Sequence, residues 1–204
     1  MVDRTAHWQA VYTTKAENEV SWFQENPASS LRLIGDAKAS TDSAIIDIGG
    51  GASRLVDALL AQGYRSPAVL DVSAAALEAS RARLGARSAD VDWIVADVTR
   101  WRPPRTYEIW HDRAAFHFLT EAADRNAYVE RLKSTVASGG EVIIGTFALD
   151  GPEKCSGLFV QRYDAKSLAD ALGSSFELAD HLTAAHRTPW GAIQHFQFSR
   201  FKRL

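Results

Sequence analysis

Residues 44–53 read AIIDIGGGAS. Four apolar residues around Asp47 make a run of buried-strand length, and three consecutive glycines, Gly49, Gly50 and Gly51, follow it directly. The next segment, SRLVDALLAQG (53–63), carries Leu55, Val56, Leu59 and Leu60 at helical spacing and ends on Gly63. Strand, glycine turn and helix are therefore predicted in succession. Small residues at such a turn let the backbone bend tightly and let a ligand come close to the start of the helix.

The same unit recurs outward from this point. AVLDV (68–72) leads into SAAALEASRARLG (73–85), where Ser73 is a capping residue and Gly85 a stop. VDWIVADV (91–98) and TYEIWHD (106–112) are two further short runs, separated by WRPPR, whose prolines forbid a helix interior. A helix over 120–137 and the run EVIIGTF (141–147) complete the fifth cycle. Apolar runs alternating with helices predict a mainly parallel sheet covered on both faces, an α/β doubly wound architecture. The tail changes character: 176–189 and 191–201 read as two extended stretches turning at Pro189, an antiparallel pair that finishes the sheet. The first forty residues differ again, with Trp8, Tyr12, Trp22 and Phe23 among polar residues. They divide the chain into a helical aromatic cap, 1–42, and a core, 43–204.

At 204 residues the chain has the size of one domain with one continuous core. With 46% hydrophobic and 24% charged residues, the composition excludes a disordered or fibrous chain. Lys and Arg number 23 against 25 Asp and Glu, for a net charge of -2, so no broad basic surface for nucleic acid is expected. The single cysteine, Cys155, forms no intramolecular disulfide and suits a reducing, cytoplasmic setting. No apolar leader and no run of membrane-spanning length stands out, so neither secretion nor a membrane partner is expected, and no metal site is proposed.

The glycine turn lacks the GxxxxGK[ST] signature of a nucleoside-triphosphate loop, and the third glycine of a dinucleotide fingerprint would fall on Arg54. Asp71 ends the second strand and is placed to accept hydrogen bonds from two ribose hydroxyls, or else simply to cap a helix. Asp97 ends the third strand, where a carboxylate suits an exocyclic amine, with Val98 supplying apolar surface. Asp47, Asp71 and Asp97 thus recur at the C-terminal ends of successive strands, where open α/β sheets bind their ligands.

On IIDIGGGAS, VLDVS, VADV and YEIWHDRAAFHFL, the chain resembles the class I S-adenosylmethionine-dependent methyltransferases, and WQAVYTTKAENEVSWF is similar to the aromatic cap of some of them. The resemblance implies a Rossmann-like seven-stranded sheet of order 3-2-1-4-5-7-6 with only strand seven antiparallel. It also implies S-adenosyl-L-methionine as cofactor and S-adenosyl-L-homocysteine as product. Asp47, Gly49, Gly50 and Gly51 would line the methionine moiety, Asp71 with Val72 the ribose, and Asp97 with Val98 the adenine.

The segment after strand four would carry the acceptor side. His111 is the first candidate base, with a second reading in which it only positions cofactor or backbone, and His117 the second candidate, with packing between two phenylalanines as its alternative. Asp112, Phe116, Cys155 and Arg162 are expected to touch substrate, and Trp8, Tyr12 and Trp22 to close over it. The function these residues imply is methyl transfer to a small thiol, metalloid or amine. A protein-lysine N-methyltransferase and a non-catalytic cofactor-binding module are the alternatives.

Overall fold

The computed structural model describes residues 3–204; Met1 and Val2, the start of the expected cap, lie outside the described residues. Strands β1 (Ile45–Ile48), β2 (Ala68–Asp71), β3 (Asp92–Val95), β4 (Tyr107–Arg113) and β5 (Val136–Phe147) are parallel. A two-residue hairpin, β6 (Lys154–Cys155) with β7 (Leu158–Phe159), stands apart. The sheet is completed by β8 (Phe176–Arg187) and β9 (Ile193–Arg203), and β9 runs antiparallel to both β5 and β8. The order is β3-β2-β1-β4-β5-β9-β8. Counting only these seven strands, it is the expected 3-2-1-4-5-7-6.

Helices α1 (Arg4–Thr14), α2 (Ala28–Asp36), α3 (Leu55–Ala61), α4 (Ala74–Leu84), α5 (Ala122–Thr135) and α6 (Ala165–Leu172) supply the rest. Every residue of β1 is buried, as a central parallel strand requires. Its alternation sends Ile46 and Ile48 to a cluster with Trp110, Tyr128 and Phe201, and Ile45 to the opposite one with Leu59, Ile109 and Phe198. Ser73 caps α4 by accepting from the Ala76 amide, as its position foretold. Among the described residues, no helix is long and apolar enough to cross a membrane.

Three boundaries differ from the sequence reading. The third strand stops at Val95 because the Asp97 carboxylate accepts from the amide and hydroxyl of Thr99, closing a turn. The helix expected to reach 137 ends at Thr135, and Val136 already pairs with Tyr107 ahead of a bulge. The cap is also shorter than 1–42: Leu33 and Ile34 of α2 are 0% and 1% exposed and pack with Ile45, Leu55 and Ile143. Helix α2 is thus part of the layered core, and only the chain before it lies over the strand ends.

Ties at Gln9 and Glu17 join that earlier segment to the first two helices of the core units. The Gln9 side-chain carbonyl on α1 accepts from the Ser73 hydroxyl and the Ala75 amide at the start of α4. Glu17 takes both Arg54 and Arg83, and Arg83 in turn donates to the carbonyls of Ala52 and Ser53 in the glycine turn. The prelude is therefore fastened to the loop that the sequence singled out.

Candidate active site

The glycine turn is shaped by close approach. A side chain at Gly50 would come within 2.5 Å of the Asp47 carboxylate, and one at Gly51, where φ is +40°, within 2.8 Å of the Asp71 carboxylate. Any larger residue would push apart two acidic groups at the ends of neighbouring strands. The amides of Gly51 and Ala52 make no hydrogen bond among the described residues, which leaves two donors at the head of α3.

Beside this turn opens a cavity of about 780 Å³ of empty space, counting the part that meets solvent. Asp71, Val72, Asp97 and Val98 line one end, and Trp8, Tyr12, Trp22 and Phe118 form an aromatic wall. The wall is knit edge to face: Trp8 lies 5.4 Å from Trp22 and 5.0 Å from Phe118 between ring centres, and Trp22 Nε1 donates to the Tyr12 hydroxyl at 3.0 Å. A second cavity of about 520 Å³ is lined by Asp47, Gly50, Ser53 and Arg54. Tyr12, Trp22, Gly49 and Arg113 border both.

Burial pushes the Asp71 carboxyl up to about 7, against the pull of the Ser73 amide, which donates to it at 2.8 Å. The phenol of Tyr12 is raised by its own burial and by Asp71. Asp97 keeps Oδ2 within 3.9 Å of Arg4 on α1. An acidic end, an aromatic wall and a glycine-rich turn therefore meet around one space at the C-terminal edge of the sheet.

Residues 45–140 match the family model described as a methyltransferase domain. Over that stretch, just under half of the chain, the protein is similar to a methyltransferase domain. No curated protein sequence matches the chain. Solved structures do resemble it. One, described for the conversion of a disulfide bond into a thioacetal group during echinomycin biosynthesis, is 17% identical over 98% of this chain and 92% of that one, with a TM-score of 0.79. A methyltransferase from Anabaena variabilis ATCC 29413 is 12% identical over 100% and 96%, with a TM-score of 0.76. The N-methyltransferase NodS from Bradyrhizobium japonicum WM9, in complex with S-adenosyl-L-homocysteine, is 15% identical over 98% and 99%, with a TM-score of 0.73. At these identities the likeness is one of fold.

Several expected site residues are engaged by other protein groups. His111 is 2% exposed, with Nδ1 at 2.7 Å from Asp47 and Nε2 at 2.8 Å from the Ser30 hydroxyl. It lines the second cavity, and both its ring nitrogens are within hydrogen-bond distance of protein groups, an arrangement that braces Asp47. His117 lines neither cavity; its ring lies 4.5 Å from Phe118 and 4.9 Å from Phe147, and burial depresses it to about 3. It is a neutral core residue.

Asp112 faces inward, accepting from the amides of Ala115 and Phe116 and from the Tyr128 hydroxyl, so it shapes the loop instead of touching substrate. Phe116 is wholly buried against Tyr128 and Tyr163. Arg162 is spent on the Gly151 carbonyl and Glu153. Cys155 does line the larger cavity, but burial pushes its thiol up to about 11, which leaves no thiolate to attack with.

Sequence reasoning missed Arg113 and Phe118, which the fold brings to the cavity. A signal for Arg113 existed. It is the last residue of β4, and the rule about parallel strand ends that picked out Asp71 applies to it equally.

Proposed function

We propose that the protein transfers a methyl group from S-adenosyl-L-methionine to a small amine or thiol. The observation that carries this reading is the meeting of two cavities at Gly49, Tyr12 and Trp22, with acidic strand ends on one side and open amides of the glycine turn on the other. The donor set fits the cofactor. Asp71 would take the ribose hydroxyls, Val72 and Val98 would supply apolar contact to the adenine, and Asp97 would accept from its amine. Gly49, Gly50 and Gly51, with Asp47 behind them, would hold the methionine portion. When bound, the cofactor supplies a methyl group on a positively charged sulfur, and displacement leaves S-adenosyl-L-homocysteine.

The chain's own contribution is alignment and enclosure rather than proton abstraction. His111 has both ring nitrogens bonded to protein groups and His117 lines neither cavity, so the proton of an amine or thiol leaves to water and the reaction favours acceptors already deprotonated. Trp8, Tyr12 and Trp22 offer ring faces to a cationic sulfur and exclude water from it. That NodS is an N-methyltransferase supports an amine as acceptor. The reaction is placed in the cytoplasm, on a small molecule and not on a protein side chain. The covering segment is residues 4–23, with α2 assigned to the core.

A screen with radiolabelled S-adenosyl-L-methionine against small amines, thiols, metalloids and protein extracts tests the assignment. Label is expected in a low-molecular-weight product. Label in protein would favour the lysine-methylating alternative, and cofactor binding without transfer would favour a non-catalytic module.

A further inference from the structure

We propose that Arg113 selects an acceptor bearing a carboxylate, an inference that rests on the methyltransferase reading of the same site. Its side chain borders both cavities. Nη1 donates to the Trp22 carbonyl at 2.9 Å, while Nε and Nη2 are covered and have no hydrogen-bond partner among the described residues. No carboxylate lies within ion-pair distance of it among those residues. An aromatic ring, Phe196, sits 5.1 Å from the guanidinium instead.

The groups that face Arg113 do little to neutralise it. Burial holds the Tyr12 phenol and the Cys155 thiol in their protonated, neutral forms. His117 and His186 are pushed toward the uncharged form by burial and by Arg113 itself. Asp47 attracts the guanidinium from beyond ion-pair range and is already bonded to His111. Two covered guanidinium nitrogens left without a partner are costly, and the cationic cofactor would add a second positive charge to the same site. A carboxylate brought by the acceptor satisfies both. The planar fork of the guanidinium matches it in shape as well as charge.

The cofactor's own carboxylate is the competing occupant. It has donors elsewhere, in the amides of Gly51 and Ala52 at the glycine turn. Arg113 instead borders the aromatic wall, where its Nη1 donates to the Trp22 carbonyl and leaves Nε and Nη2 unpartnered. The apolar wall suits a flat ring, and the carboxylate pointing inward would place the acceptor's nucleophile near the junction of the two cavities.

The test is calorimetric titration of benzoate and benzamide into full-length protein saturated with S-adenosyl-L-homocysteine. Benzoate is expected to bind about tenfold more tightly than benzamide. In Arg113→Met that preference should vanish, and in Arg113→Lys it should return in part, with affinity for S-adenosyl-L-homocysteine within about threefold of the parent. Equal binding of the two probes, or no binding of either at millimolar concentration, overturns the proposal even if the variants do not fold. Loss of S-adenosyl-L-homocysteine affinity in a folded Arg113→Met also overturns it, by assigning the guanidinium to the cofactor's carboxylate. A parent protein that does not bind S-adenosyl-L-homocysteine at all contradicts the transferase reading instead.

Discussion

Asp47 and His111 are direct neighbours across the β1–β4 register, and their side chains meet at 2.7 Å beneath the glycine turn. The Nδ1–H donating to the carboxylate leaves Nε2 to accept the Ser30 hydroxyl, which ties β1, β4 and α2 together behind the site. By sequence position His111 reads as a catalytic base, and its two ring nitrogens meet Asp47 and Ser30.

His111→Ala should therefore cost stability before it costs chemistry. Removing the ring leaves Asp47 and Ser30 without their partner in a buried place, a loss of about 2 kcal/mol in denaturant unfolding. Turnover should fall through misplacement of the turn, with equal fractional loss for acceptors of low and high pKa. A loss confined to acceptors that still carry their proton would restore the base.

Asp71 is where function and stability are opposed. Its carboxyl, ordinarily near 3.8, is raised to about 7 by burial, so the folded state holds the proton more tightly than the unfolded chain. The stability this provides is present below about pH 4 and lost as pH rises through about 7. Asp71→Asn should then be more stable than the parent by about 1–3 kcal/mol at pH 8 and no different at pH 4. The same variant should bind S-adenosyl-L-homocysteine about tenfold or more weakly, through loss of charge-assisted bonds to the ribose. Parallel melts at the two pH values and one titration decide both halves.

Trp8 contacts Trp22 and Phe118 in the aromatic wall of the larger cavity. Trp8→Ala is expected to lower kcat/KM for the acceptor about tenfold while changing cofactor affinity less than about threefold. Equal losses in both, with a lower Tm, would make the wall a packing device only.

Glu17 joins the prelude to the glycine turn through Arg54 and Arg83. Glu17→Gln should weaken S-adenosyl-L-homocysteine binding several-fold, about 1 kcal/mol, because Arg83 also holds the carbonyls of Ala52 and Ser53. Unchanged affinity would show that the turn keeps its shape without this tie.

The parts legible in sequence were those governed by local pattern. AIIDIG and AVLDV show their burial in their composition, and the glycines show the turn because nothing larger fits beside Asp47 and Asp71. What stayed hidden depends on partners distant in the chain. His111 reads as a base until Ser30, 81 positions away, is seen on its other nitrogen. Asp112 and Arg113 are adjacent, yet one turns into the core and the other into the cavity, a choice made by Tyr128 and by the loop around Trp22. The prelude looked uniform because both halves are aromatic or apolar, although only α2 packs between sheet and α3.

The most direct test of the account is titration of S-adenosyl-L-homocysteine and, separately, NAD into the purified protein at pH 8, where Asp71 is charged. The account predicts one saturable site for S-adenosyl-L-homocysteine with a micromolar dissociation constant, about -8 kcal/mol, and no heat from NAD. Absence of binding by S-adenosyl-L-homocysteine at millimolar concentration, or saturable binding of NAD in the same range, would contradict it.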